Sequence, residues 1–98
     1  MKPQQKNRII KQKVTGDSMI DAGICDGDWV IVEEGTKPYK SKVHVILIDN
    51  QDVTLKYVEK INQKEVKLVP ANTKYQEIIY PAERISIQGY VVGQVRIY

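Results

Sequence analysis

Short apolar runs rich in β-branched residues, separated by turn formers, limit the folds open to this chain more than any other feature. The candidate strands are residues 29–32, 42–48, 53–58, 65–69, 75–80, 85–92 and 94–98. Runs of this length and composition are typical of strands, and their regular spacing predicts a mainly β domain, either a sandwich or a compact barrel-like sheet. The turn formers at 49–52 predict a hairpin between the second and third runs. Gly89 and Gly93 predict a bulge or bend near the end of the chain.

A single short helical turn is expected, from Ser18 to about Ala22. Asp17 or Ser18 would begin it as a capping residue, and Gly23 would end it because glycine readily adopts the left-handed conformation that closes a helix. With 98 residues the chain can bury one modest core, so one domain is predicted.

Basic residues are concentrated before the first acidic residue, although the net charge of the whole chain is only +3. They are Lys2, Lys6, Arg8, Lys11 and Lys13. This pattern predicts a solvated, polar basic tail over residues 1–13 and a folded domain over 14–98. A nucleic-acid-contacting arm is the alternative interpretation. Direct DNA binding is not expected, because no aromatic residue interrupts these charges and no helix-turn-helix or zinc-finger spacing follows.

Targeting signals and cysteine usage indicate the compartment. The polar N-terminus lacks the apolar segment of a secretory signal, and no apolar run is long enough for a transmembrane helix. Cys25 is the only cysteine, so no intramolecular disulfide can form. A cytoplasmic location is therefore expected.

The segment around Ser18 has features that a nucleophilic serine requires. A serine hydroxyl needs a base to take its proton, and the oxyanion that forms on attack needs hydrogen-bond donors. Ser18 follows Gly16 at the start of the predicted helical turn, where backbone N–H groups have no partners within the turn. Gly16 allows a tight turn and the close approach of a substrate strand.

Two residues are candidates for the base. His44 is the only histidine of the chain. Lys56 shares one face of a predicted strand with Thr54 and Val58, and neither face of that strand is clearly polar. A lysine desolvated on such a face has a lowered pKa and can be neutral near pH 7, which would make a Ser-Lys dyad with Ser18.

The sequence of these segments resembles the LexA/UmuD-like serine peptidase family, which also includes phage repressors. The resembling segments are 16–19 (Gly-Asp-Ser-Met), 23–24, 26–28, 54–57 (Thr-Leu-Lys-Tyr), 70–75 and 87–97. The resemblance covers residues 14–98, and it corresponds to the C-terminal catalytic domain of the family. The amino-acid sequence of residues 16–21 is most similar to that of UmuD.

The resemblance implies a self-cleaving serine endopeptidase, with Ser18 as the nucleophile and Lys56 as the general base. Backbone N–H groups of Ser18 and Asp17 would bind the oxyanion, and the side chain of Asp17 would be structural. The residues implied to support the turn are Gly16, Met19, Asp26, Gly27 and Asp28. No metal and no cofactor are implied. The C-terminal strands would form a homodimer, and a translesion polymerase or a recombinase filament would be the partner.

The chain departs from self-cleaving members of the family in one respect. Those proteins carry their own substrate, an Ala-Gly or Cys-Gly bond well before the nucleophile, whereas the 17 residues before Ser18 contain no such pair. Ala22 and Gly23 form an Ala-Gly pair, but it lies inside the nucleophile segment and could not fold back into the site.

Two functions therefore stay open. The first is a peptidase of the SOS response, either a UmuD-like polymerase accessory or a LexA-like repressor domain. It would be idle within this molecule because the chain is processed, truncated or naturally short. The second is a non-enzymatic dimerisation module that binds a polymerase or repressor partner.

The remaining candidates are expected to be structural. His44 alternates with valines and would fill a strand position, and Cys25 would be a small filler in a turn. The acidic residues near the nucleophile do not match the spacing of a calcium loop, so no metal site is predicted. They are Asp17, Asp21, Asp26 and Asp28.

Overall fold

The computed structural model describes residues 7–98, and they form a seven-stranded sheet in which all neighbouring strands are antiparallel. The strands are β1 (Ile9–Lys13), β2 (Trp29–Glu34), β3 (Val43–Ile48), β4 (Asp52–Lys60), β5 (Glu65–Val69), β6 (Ile78–Pro81) and β7 (Ile85–Val95). Their order across the sheet is β1-β2-β7-β3-β4-β5-β6. Short 3-10 turns at Ile20–Ala22 and Ala82–Arg84 are the helical elements of the described part. The predicted mainly β class is confirmed.

The predicted hairpin is formed by β3 and β4. Its pairs run from Val43 with Tyr57 to Ile48 with Asp52. The turn places Asp49 and Asn50 at a φ of 54° each, a left-handed conformation that short polar residues tolerate better than others.

Strand β7 is one strand where the sequence predicted two. It pairs with both β2 and β3, and the register against each partner shifts once. The shifts leave Val92 and Gln88 without a pairing partner, beside Gly93 and Gly89, so the predicted bends are confirmed as bulges. Strand β6 also differs from the prediction, because it begins at Ile78 rather than at residue 75.

Both faces of the sheet carry buried apolar clusters. The larger cluster contains Val14, Met19, Ile24, Val30, Val32, Val43, Val45 and Leu55. The smaller one contains Ile46, Val58 and Leu68. Because side chains alternate along a strand, Leu55 of β4 faces the larger cluster, whereas Lys56 lies on the face of Val58 and the smaller cluster.

The first half of β4 has a free edge. Residues 52–57 pair with β3 on one side, but β5 pairs only with residues 57–60 on the other. The segment between β1 and β2, which contains Ser18, lies next to this unpaired edge and lines a pocket together with Val53 and Leu55.

The polar tail predicted over residues 1–13 is wrong for its second half. Residues Ile9–Lys13 are strand β1, paired with β2 from Ile9 opposite Glu33 to Lys13 opposite Trp29. Ile10 packs against the larger cluster, and Nζ of Lys11 lies 5.3 Å from the centre of the Trp29 ring. The Ile-Ile-Lys-Gln-Lys segment is mostly polar, yet its side chains alternate between exposed and half-buried and it forms the edge strand beside β2. The first six residues of the predicted tail lie outside the described residues.

Candidate active site

The nucleophile segment, residues 14–28 with the candidate nucleophile Ser18, is a loop closed at its base by backbone hydrogen bonds. Val14 donates to O of Asp28 at 2.8 Å, and Gly27 donates to O of Val14 at 2.9 Å. Inside the loop, the N–H of Gly16 donates to Oδ1 of Asp26 at 2.7 Å. Gly16 and Gly27 have φ of 85° and 88°, a region that other residues rarely adopt, so the loop depends on glycine at both positions.

Met19 anchors the nucleophile segment to the core. Its side chain is 2% exposed and belongs to the larger cluster, while the neighbouring Ser18 remains accessible. The helical turn after it ends at Gly23 in the left-handed conformation, as predicted. The predicted side-chain cap by Asp17 or Ser18 is wrong. Met19 is the N-cap, and the turn is held by backbone bonds, such as Ile20 N–H to O of Asp17 at 3.2 Å.

The fold brings Lys56 to Ser18 across 38 positions of sequence. Nζ of Lys56 lies 3.1 Å from Oγ of Ser18 and 2.5 Å from Oγ1 of Thr54. Burial lowers the pKa of Lys56 from its usual 10.5. Within residues 7–98 no carboxylate forms a salt bridge with this amine, so no opposite charge there offsets the cost of burying its ammonium form.

The turn after β5 is fastened to the nucleophile segment. Ala71 donates to O of Ser18 at 2.8 Å, and Asp21 donates to O of Ala71 at 2.7 Å. Nδ2 of Asn72 donates to O of Asp17 at 2.8 Å. These contacts involve main-chain groups of the nucleophile segment, so they set the orientation of its peptide planes.

The side chain of Asp17 contacts the same turn. The hydroxyl of Tyr75 donates to Oδ1 of Asp17 at 2.5 Å, and Nζ of Lys74 lies 3.5 Å from Oδ2. The hydrogen bond from Tyr75, followed by the charge of Lys74, lowers the pKa of Asp17. These contacts tie the carboxylate to the turn after β5, and the structural role that the resemblance implies for Asp17 stays a prediction.

The backbone N–H groups of Asp17 and Ser18 have no acceptor within residues 7–98. They are the two donors that the resemblance assigned to the oxyanion. Unpaired donors at a turn beside an accessible hydroxyl can bind a developing negative charge.

Ser18 lies between two depressions of the surface. One is lined by 12–16 of the N-terminal segment and 53–55 of β4. The other, of about 410 Å³, has an apolar wall and also reaches Lys56 and Thr54. That wall consists of Ile48, Leu68, Ile78 and Tyr80. An extended peptide crossing from one depression to the other would pass over the hydroxyl.

His44 is close in the sheet to Lys56 but does not reach Ser18. It is fully buried on β3 directly opposite Lys56, and Nε2 accepts the N–H of Tyr39 at 2.9 Å. Burial lowers its pKa, so the ring is neutral near pH 7. Of the two candidate bases, only Lys56 contacts the hydroxyl.

Asp28 links the nucleophile segment to the end of the chain. Its buried carboxylate accepts the N–H of Cys25 at 2.8 Å, Nε of Arg96 at 2.9 Å and Nε2 of Gln94 at 3.1 Å. The hydrogen bonds from Arg96 and then from Cys25 lower the pKa of Asp28 to about 2. The guanidinium of Arg96 also lies 3.2 Å from Sγ of Cys25. Cys25 is half-buried and forms no disulfide.

The sequence predicted Ser18 as nucleophile and Lys56 as base, and the fold brings the two side chains into contact. Several residues around them were not predicted as part of the site. Thr54, Asn72, Tyr75 and Arg96 all contact the predicted site residues. The periodicity of β4 places Thr54 on the face of Lys56, so that contact could have been predicted. The others are separated from their partners by dozens of residues and follow from the pairing of the whole sheet.

Within residues 7–98 no cluster of His, Cys, Asp and Glu could hold a metal ion. No helix there is long and apolar enough to cross a membrane.

Comparison with known proteins gives a consistent family. The model of the Peptidase S24-like family matches residues 2–92. A LexA repressor of Zymomonas mobilis is 48% identical over 86 residues, 88% of this chain and 39% of the relative. LexA repressors of Gluconacetobacter diazotrophicus and Petrotoga mobilis are 45% and 39% identical, over 34% and 42% of their lengths. The chain therefore spans between about a third and two fifths of the length of the curated relatives it matches. Both the family model and the relatives cover most of the sheet and the Ser18 and Lys56 segments, so this chain belongs to the S24 family of serine peptidases.

Proposed function

We propose that the chain is a serine endopeptidase domain in which Ser18 attacks a peptide carbonyl and Lys56 is the general base. The observation that carries this proposal is the 3.1 Å contact between the buried amine and the hydroxyl. A lysine without a carboxylate partner, desolvated on a strand, is a stronger candidate for a neutral amine than a surface lysine.

The reaction follows from the geometry. The lone pair of neutral Lys56 takes the proton of Oγ of Ser18 as that oxygen attacks the carbonyl carbon of the substrate. The carbonyl oxygen becomes negative and accepts hydrogen bonds from the N–H groups of Asp17 and Ser18. The ammonium of Lys56 then gives its proton to the leaving amine, and an acyl-enzyme remains. Water, deprotonated by the same amine, hydrolyses the ester.

Thr54 positions the base. Its hydroxyl oxygen accepts one N–H of Lys56, which directs the amine toward Ser18 without adding a charge. A carboxylate in its place would favour the ammonium and remove the base at neutral pH.

We infer that the physiological reaction is self-cleavage of the SOS type. The support is the name of the relatives, LexA repressor, together with the resemblance to self-cleaving peptidases. The scissile bond would be Ala-Gly or Cys-Gly, presented by a polypeptide segment that is not part of this 98-residue sequence. Whether the domain serves a LexA-like repressor or a UmuD-like polymerase accessory depends on the rest of that protein.

The second candidate function is a non-enzymatic dimerisation module, and a feature of β7 favours it. Val92 and Val95 are each 48% exposed, and Ile97 beyond the strand is 77% exposed. Such an apolar strip at the C-terminal strands suits a homodimer, which would then bind a translesion polymerase or a recombinase filament. Cleavage that is lost in Ser18→Ala, in a variant that still dimerises, would show that the two roles coexist.

The test of the peptidase is cleavage of a synthetic peptide with an Ala-Gly bond flanked by apolar residues, from neutral to strongly alkaline pH. We expect the rate to rise through the pKa of Lys56, and Ser18→Ala and Lys56→Ala to lose at least ~10³-fold. Lys60→Ala is the matched control, because Lys60 is an exposed lysine of the same strand. Equal cleavage by wild type and Ser18→Ala would overturn the proposal.

A further inference from the structure

The carbonyl of Asp17 is held by a side chain that takes no part in the proposed chemistry. Asn72 is 9% exposed, and its Nδ2 donates to that carbonyl at 2.8 Å. The other end of the same amide is also fixed, because Oδ1 accepts the N–H of Lys74 at 2.9 Å. The amide therefore has one orientation in which both contacts are made.

The carbonyl of Asp17 and the N–H of Ser18 belong to one peptide group. That group is planar and trans, so its C=O and N–H point in opposite directions. The carbonyl also accepts the N–H of Ile20, but at the longer distance of 3.2 Å. By drawing the carbonyl toward the turn after β5 with the shorter bond, Asn72 directs the N–H of Ser18 away from that turn. This N–H has no acceptor in the described part of the chain.

The next peptide group is fixed from the same turn. The carbonyl of Ser18 accepts the N–H of Ala71 at 2.8 Å. The peptide groups on both sides of Ser18 thus accept hydrogen bonds from Ala71 and Asn72. Asn72 is the member of this pair that acts through a side chain, so substitution can remove its contact alone.

We propose that Asn72 is a positioning residue of the oxyanion site: it sets the plane of the Asp17–Ser18 peptide so that the N–H of Ser18 meets the developing oxyanion. This inference rests on the proposed peptidase function. Asn72 lines neither of the two depressions beside Ser18 and does not contact Lys56. We therefore expect it to affect stabilisation of the transition state and to leave proton transfer to the base unchanged.

Loss of the Asn72 amide should lower kcat and leave KM and the pH–rate profile nearly unchanged. Removing one oxyanion donor lowers kcat by about 10²–10³-fold, and a donor that is misaligned rather than removed loses part of that. In Asn72→Ala we expect kcat for the Ala-Gly peptide to fall about 10–100-fold, with KM within about threefold of wild type. The apparent pKa of the pH–rate profile should stay that of wild type, because the base is intact.

Asn62 offers a matched control. Its amide makes the same local arrangement, accepting the N–H of Lys64 at 2.8 Å and donating to a neighbouring acceptor, but it is exposed and far from Ser18 in the sheet. Asn62→Ala should keep the wild-type kcat. Rates are compared well below the melting midpoint of each variant, so that the folded protein is measured.

Asn72→Asp is the second variant, because it keeps the volume of the side chain and the acceptor for Lys74, removes the donor and adds a negative charge. Its kcat is read on the plateau of its own pH profile, since the new charge shifts the titration of Lys56, and it should also fall. A plateau kcat within threefold of wild type in either folded variant would overturn the inference, as would a loss in Asn72→Ala explained by a shifted pKa. If Ser18→Ala cleaves as fast as wild type, the peptidase proposal fails instead.

Discussion

Burial of Lys56 has consequences for folding as well as for catalysis. Its pKa is lowered in the folded state, so the folded protein binds this proton less tightly than the unfolded chain does. Stability therefore increases with pH between the folded pKa and the ordinary value of 10.5, and below the folded pKa the full cost of the buried ammonium applies.

We predict that Lys56→Met melts at a higher temperature than wild type at neutral pH, and that its advantage shrinks as the pH rises toward 10.5. Thermal unfolding across that pH range measures this directly. Lys60→Met on the exposed part of β4 is the control and should show no such trend. A difference that does not change with pH would mean that Lys56 titrates alike in both states.

At the scale of elements, strand β7 requires a glycine at position 89, where it pairs with Glu34 of β2. A Cβ on Gly89 would lie 2.4 Å from O of Glu33 and 2.7 Å from Cγ1 of Val32, so a side chain there must displace backbone. We predict that Gly89→Ala lowers the free energy of unfolding by about 1–3 kcal/mol. Urea denaturation gives the value, and Gly35→Ala, which would meet no atom within 4 Å, should change it by no more than about 0.5 kcal/mol.

Strand β1 provides a test of whether the basic N-terminal segment is structural. Ile10 packs against the larger cluster, while the adjacent Ile9 is 53% exposed. We predict that Ile10→Asp costs about 2–3 kcal/mol of stability, because it removes apolar burial and places a charge at a packed position. Ile9→Asp should cost less than about 1 kcal/mol. If neither substitution changed the free energy of unfolding, this segment would be a solvated tail, as its composition suggested, and not a packed strand.

The elements that the sequence predicted well are those with a strong local signal. The β3–β4 hairpin is bounded by turn formers, and the bulges lie beside glycines, so both follow from short-range chemistry. Strand β1 was missed because three of its five residues are polar, and their partner Trp29 is distant in sequence. Order within the sheet is set by long-range pairing, which no local pattern encodes.

For the whole molecule, Asp28 joins the loop that bears the nucleophile to the C-terminal residues. Its pKa of about 2 lies below the usual 3.8, so the stabilisation it provides is complete above 3.8 and is lost as the pH falls toward 2. We predict that Asp28→Asn melts below wild type at neutral pH and that the two midpoints converge between pH 3.8 and about 2. Asp52→Asn, at an exposed position, is the control. A gap that persists at the lowest pH would contradict the ionic role of this contact.

The same scale explains which parts of the site could be predicted. Ser18 and Lys56 could be proposed as a pair because nucleophiles and bases belong to few residue types and their segments resemble a known family. Asn72 and Arg96 could not be found in this way, because amides and guanidinium groups have many structural uses. The contacts of Asn72 and Arg96 with the nucleophile segment can be identified only in the folded structure, where the turn after β5 and the residues after β7 pack against that segment.

The left-handed backbone at Gly16 and Gly27 has a consequence for how related chains are interpreted. A descendant that exchanged Ser18 for alanine would still need both glycines to close the loop and keep Met19 in the core. Such a chain would look like a peptidase in its sequence while working only as a scaffold. Under the proposed function, we therefore expect Ser18 and Lys56 together, rather than the glycines around them, to distinguish an active peptidase from an inactive copy.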